Sequence, residues 1–252
     1  MSRIGVLFLS SVFLSLSIAS SVSAEKLHVL ALSSQPFFYD DDGTPAGIEY
    51  EILSYFAKAR NLEIDVEYVD AFPDLLERIA QGEADIAAGT ITITPERQEN
   101  MDFSAPYFPV QVVLVERAGE ISTSLEDLAG SQVGAFAGTT AEEGLSEIEG
   151  VEVVQRTGIP GLLSAVASGE IRAAAGDSSA IIPVIDDYPE LEISLSFGER
   201  QHFGFAMPKG SRLRVALSKH IMGLKESGIF FRLVTRHMGP QASSVVRASR
   251  AP

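Results

Sequence analysis

The feature that most limits how this chain can fold is a pattern that occurs twice. Leu75 to Gly89 and Leu162 to Gly176 parallel each other position by position, with 87 residues separating Leu75 from Leu162. Each copy reads as an amphipathic helix stopped by a glycine (Gly82, Gly169) and followed by a short apolar strand (Ile86-Ala87-Ala88, Ala173-Ala174-Ala175). Stacked repeats have periods of about 20 to 50 residues, so this wider spacing fits two similar lobes. A chance likeness between two common helix–strand units is the other reading. With 252 residues and 46% hydrophobic content, the chain is long enough to build two cores.

The rest of the chain alternates in the same way. Leu27 to Leu32 reads as a first strand, and Ser33 to Pro45 is rich in turn formers and holds Phe37, Phe38 and Tyr39. Ile48, Ile52, Leu53, Phe56 and Ala57 then recur at helical spacing, with Asn61 as a stop. Short strands joined by helices predict an α/β fold with mostly parallel sheets. Thr90 and Asp177 directly follow the two copies, so each is expected at the carboxyl end of a strand, where open α/β sheets bind ligands. If the lobes face each other, the two residues lie on opposite walls of one cleft.

Residues 1–24 carry Arg3, an apolar run from Ile4 to Ile18 and a small-residue end at Val22-Ser23-Ala24, the pattern of a cleaved secretory signal. The alternative, a retained anchor, meets an apolar run that is broken by serines and shorter than the roughly 20 residues a spanning helix needs. The absence of cysteine excludes disulfides, thiolate metal sites and a lipid-attachment cysteine. The formal charge is -15, and loss of the leader with its one arginine makes it -16. A surface this acidic repels nucleic acid and anionic lipid.

The residues able to hold a ligand cluster after the strands. In Thr90-Ile91-Thr92-Ile93-Thr94-Pro95-Glu96-Arg97, Thr94 suits an N-cap and Pro95 the first helical position. Arg97 then falls in a first turn, where the dipole disfavours a cation. It either grips a ligand carboxylate with help from the hydroxyls of Thr90 and Thr92, or is a surface arginine paired with Glu96 or Glu99. Gly138-Thr139-Thr140 reads as the start of another helix, offering free amides to an anion or serving capping alone. Asp177 is either an N-cap for the helix through Ile181 and Ile182 or a counter-charge for an ammonium. His28, His202, His220 and His237 show no metal-ligand spacing, and neither a nucleophile elbow nor a phosphate loop is present. No metal, cofactor or catalytic group is called for.

Several segments fall in an order that resembles a known family: Ala46-Gly47-Ile48-Glu49, Gly82-Glu83-Ala84-Asp85, Thr92 to Arg97, Met101-Asp102-Phe103-Ser104-Ala105-Pro106-Tyr107, Leu125 to Gly130 and Val133 to Glu142. These resemble the family 3 extracellular solute-binding proteins, the polar amino acid receptors of ABC transporters. The resemblance implies a type II periplasmic binding protein: lobe 1 over residues 25–110, lobe 2 over 111–202, a return to lobe 1 over 203–244 and a flexible tail over 245–252. It places two crossover segments at Val110 to Val115 and Phe203 to Met207.

It also implies that Arg97 holds the α-carboxylate with Thr92 and the amides of Thr139 and Thr140. Asp177 and the backbone of Thr90 take the α-ammonium, and Phe72 packs on the ligand side chain. Phe37 and Glu49 complete the expected ligand-binding set. The family's Tyr-Pro-Pro-Phe is here Ser34-Gln35-Pro36-Phe37, so one aromatic wall is missing or supplied by Phe38 or Tyr39. The expected function is a monomeric periplasmic receptor that closes on a small amino acid or similar carboxylate and delivers it to a membrane ABC permease. A dehydratase on the same fold, with Glu49 or His202 as its acid, and a ligand-sensing subunit are the alternatives.

Overall fold

The computed structural model describes residues 25–243. The expected leader and the tail at 245–252 lie outside the described residues.

The chain begins with β1 (Glu25–Leu32), the hairpin β2 (Tyr39–Asp41) and β3 (Thr44–Ala46), then α1 (Ile48–Lys58) and β4 (Leu62–Val69). Next come α2 (Phe72–Gln81), β5 (Ile86–Ala88), α3 (Pro95–Asn100) and β6 (Met101–Phe103). A second run follows: β7 (Phe108–Arg117), β8 (Gln132–Ala135), α4 (Thr140–Ser146), β9 (Glu152–Gln155), α5 (Ile159–Ala167), β10 (Ala173–Asp177) and α6 (Ser178–Ile181). The chain closes with β11 (Leu191–Phe203), β12 (Ala206–Pro208), α7 (Leu213–Glu226) and α8 (Ile229–Met238).

Two five-stranded sheets result, in the orders β4-β1-β5-β12-β6 and β11-β7-β10-β8-β9. In the first, β4, β1 and β5 are parallel and β12 runs against both its neighbours. In the second, β9, β8 and β10 are parallel and β7 runs against both its neighbours. Read from the parallel edge, the two orders are the same. The helix–strand units recognised in the sequence, α2–β5 and α5–β10, therefore occupy equivalent places. Gly82 and Gly169 take left-handed conformations (φ 81° and 77°) after α2 and α5, a geometry that glycine adopts without a Cβ penalty.

The cores follow this division. Two apolar clusters draw on residues between Leu27 and Val110 together with Phe203 to Ala242, and two others on residues between Val112 and Phe197. The chain passes between them as a paired ribbon, with Phe108 opposite Phe203, Pro109 opposite His202 and Val110 opposite Gln201. The outgoing passage is thus complete by Val112, earlier than the Val110 to Val115 that the resemblance implied, because Val112 to Val115 already pack in the second lobe's cores.

Candidate functional site

Arg97 stands where the short helix α3 begins. Thr94 caps that helix, its hydroxyl accepting from the Arg97 amide at 3.2 Å, and Pro95 occupies the first turn. The side chain turns inward and is only 7% exposed, so the surface arginine paired with Glu96 or Glu99 is not what forms. Its Nη1 donates to the Thr92 carbonyl at 2.9 Å, and Thr92 itself is buried. The guanidinium lies over the Phe72 ring, 5.1 Å from its centroid, in cation–π contact.

The other half of the site comes from the second lobe. Arg97 Nη2 donates to the Gly138 carbonyl at 2.9 Å, and Glu143 Oε1 of α4 is 3.8 Å away. Gly138 is left-handed (φ 69°), and a Cβ there would come 3.1 Å from Pro73 and 3.7 Å from Phe72, so the lobes meet closely at this point. Thr139 caps α4, accepting from the Glu142 amide and donating to the Phe136 carbonyl at 2.7 Å. The Thr140 hydroxyl donates to Gln201 on the crossover ribbon at 2.8 Å. Both threonine hydroxyls are thus engaged within the protein, and it is the Thr140 amide that has no acceptor among the described residues.

Asp177 ends β10 and stands at the N-cap position of α6, yet its side chain makes no cap bond. Among the described residues its carboxylate receives no hydrogen bond. Burial pushes its carboxyl up to about 7, and the Arg97 guanidinium pulls the other way. Burial likewise lowers the pKa of Arg97 while Glu143, Asp177 and Glu96 act against it. Arg97 and Asp177 therefore share one electrostatic neighbourhood across the gap between the lobes.

Thr90 has a positive φ of 57°, a conformation unusual for a β-branched residue. Glu49 holds it there: its carboxylate accepts from the Gly89 amide at 2.9 Å, the Thr90 amide at 3.1 Å and the Tyr107 hydroxyl. The Thr90 hydroxyl donates to the Gly89 carbonyl at 2.8 Å and contacts Ser34 Oγ at 3.2 Å. Glu49 is fully buried, and burial raises its carboxyl to about 7 against those three donors.

The expectations for Glu49, Phe37 and Phe38 need correction. Glu49 lies beneath the Gly89–Thr90 turn with its oxygens engaged, so it fixes the site's backbone and does not line the cleft. Phe37 is 1% exposed and stacks edge-on against Phe108 and Phe203, with centroids 5.0 and 5.6 Å away. It braces the root of the crossover ribbon. Phe38 is buried against Tyr50 and Tyr68, so it supplies no aromatic wall either. Glu143 and the Gly138 carbonyl were missed. A lone glutamate in a first helical turn reads as a dipole partner, and a carbonyl contact leaves no mark in residue type.

Two lobes of one strand order, with polar groups facing each other at the carboxyl ends of equivalent strands, define a type II two-lobed solute-binding fold. The chain belongs to the bacterial extracellular solute-binding proteins, family 3, whose model matches residues 28–240. It is 29% identical to the amino-acid-binding protein AabA of Dichelobacter nodosus over 76% of this chain and 78% of that one. It superposes with a TM-score of 0.75 and 27% identity on the amino acid ABC transporter substrate-binding protein AbpA of Streptococcus pneumoniae bound to L-arginine, covering 90% of this chain and 97% of that one. It is also 26% identical to the membrane-bound lytic murein transglycosylase F of Desulfosudis oleivorans, but spans only 48% of that protein's length. No helix among the described residues is long and apolar enough to cross a membrane.

Proposed function

We propose that this protein is a periplasmic receptor, exported by its leader, that closes its two lobes on a small amino acid and presents the closed form to an ABC permease as a monomer. Arg97 takes the α-carboxylate, which replaces the Gly138 carbonyl on Nη2 and gains the Thr140 amide. Asp177 takes the α-ammonium with the Thr90 backbone, and Phe72 lies along the ligand. The observation that carries this reading is the pair Arg97 and Asp177: a buried guanidinium from one lobe and, from the other, a carboxylate without a donor. Neither charge is fully compensated by the protein, and a zwitterion compensates both.

The L-arginine held by the pneumococcal relative supports an amino acid as the ligand class. An enzymatic reading draws no support from the two acids named for it. Glu49 is locked by three donors, and His202 lines a separate hollow with Gln98, Phe103 and Arg214.

Calorimetry against the proteinogenic amino acids tests the proposal. At least one should bind, and Arg97→Ala should weaken it by about tenfold or more, the effect of losing one charge-assisted hydrogen bond. A ligand that binds Arg97→Ala as tightly as the parent protein removes the proposed carboxylate seat.

A further inference from the structure

A second site candidate lies at the outer side of the crossover. A hollow of about 530 Å³ opens between α3, the segment from β6 to β7, the end of β11 and the start of α7. Its lining combines the apolar side chains of Ile93, Phe103 and Pro106 with Arg200, His202 and Arg214. Lys225 stands next to it, bound to the Pro106 carbonyl at 2.6 Å.

The concentration of cations is unusual for a chain whose net charge is -15. Among the described residues Glu199 is the one carboxylate along the lining. Burial depresses the pKa of the His202 ring, and the charges that bear on it, the cations Lys225 and Arg200, act in the same direction. Among the described residues Arg214 has no carboxylate within ion-pair distance. Cations and apolar side chains lining one concave surface suit a ligand with one anionic end and one apolar body. Inorganic phosphate would leave the apolar side chains unused.

We propose that this groove binds a small organic carboxylate, its anionic group held by Arg200, His202 and Arg214 and its apolar part against Phe103 and Pro106. The groove takes Thr94, Pro95 and Gln98 from α3, whereas Arg97 of the same helix points into the interlobe site. The two sites are therefore separate, and this inference does not rest on the amino acid reading.

Benzoate and inorganic phosphate are the probes, and the His202 ring signals in a heteronuclear NMR titration are the readout, with ionic strength held constant. Benzoate should shift them saturably. The exposed-residue double variant Arg200→Gln/Arg214→Gln should weaken that response by about tenfold or more, and Arg97→Ala should leave it intact. A response unchanged in the double variant, or lost in Arg97→Ala, overturns the site. Phosphate binding as tightly as benzoate overturns the ligand class, and absence of any saturable shift overturns both.

Discussion

The carboxyl of Asp177 offers the sharpest test of how the cleft works, because its ionisation and ligand binding must be coupled. Without a ligand, burial holds it at about 7, well above the ordinary aspartate range. A bound ammonium favours the ionised form, so binding at acid pH has to expel a proton. With a free-state value of about 7, roughly one site in a hundred is ionised at pH 5 and about nine in ten at pH 8, so affinity should fall about a hundredfold between pH 8 and pH 5.

Calorimetry at pH 5 in buffers of different ionisation enthalpy should report close to one proton released per ligand. The stability of the ligand-free protein runs the other way. A raised folded-state value contributes stability that is full below the ordinary carboxyl range and lost as pH rises through about 7, so saturating ligand should restore what neutral pH removes. Asp177→Asn should bind more weakly at pH 8 and lose the steep pH dependence. A dissociation constant that stays flat from pH 5 to 8 in the parent protein, or an equally steep curve in Asp177→Asn, would refute the coupling.

Other perturbations separate the site from its supports. Glu49→Ala orphans the buried Gly89 amide, the part-buried Thr90 amide and the buried Tyr107 hydroxyl, and should cost about 3 kcal/mol or more in urea unfolding. Phe37→Ala removes the brace between Phe108 and Phe203, and should destabilise by about 3–5 kcal/mol while leaving the order of preference among amino acids unchanged in a thermal-shift screen. Gly138→Ala places a methyl 3.1 Å from Pro73 across the gap and in a left-handed conformation. It should weaken ligand binding in calorimetry more than it lowers the melting temperature of the ligand-free protein.

The large-scale design was legible because it repeats. Two helix–glycine–strand units are enough to place β5 and β10 in equivalent positions and to put Thr90 and Asp177 at strand ends. Arg97 was readable from its local chemistry, since Thr94 and Pro95 fix where α3 starts and hence which residue falls one turn in. The turn-rich stretch after β1 was not readable: Phe37 and Phe38 are aromatic whether they meet a ligand or the crossover ribbon, and only the pairing of β7 with β11 decides between them.

Glu49 did leave a trace. It shares the apolar stripe of α1 with Ile52, Leu53 and Phe56, and a carboxylate on a buried stripe needs donors of its own. What supplies them, the Gly89–Thr90 turn and Tyr107, lies 40 to 58 residues away. The reversal of β12 and β7 was equally hidden, because each runs against its neighbours only through having crossed from the other lobe.

That crossing has a consequence for the order in which a nascent chain can acquire its structure. β12 lies between β5 and β6 in the first sheet, yet it is made after the whole second lobe. A chain halted before Ala206 leaves β6 without a neighbour, while the strands of the second sheet, β7 to β11, form one uninterrupted stretch of sequence. The later-made lobe can therefore assemble first, and the amino-terminal one waits, without the strand that joins β5 to β6, until synthesis is almost finished.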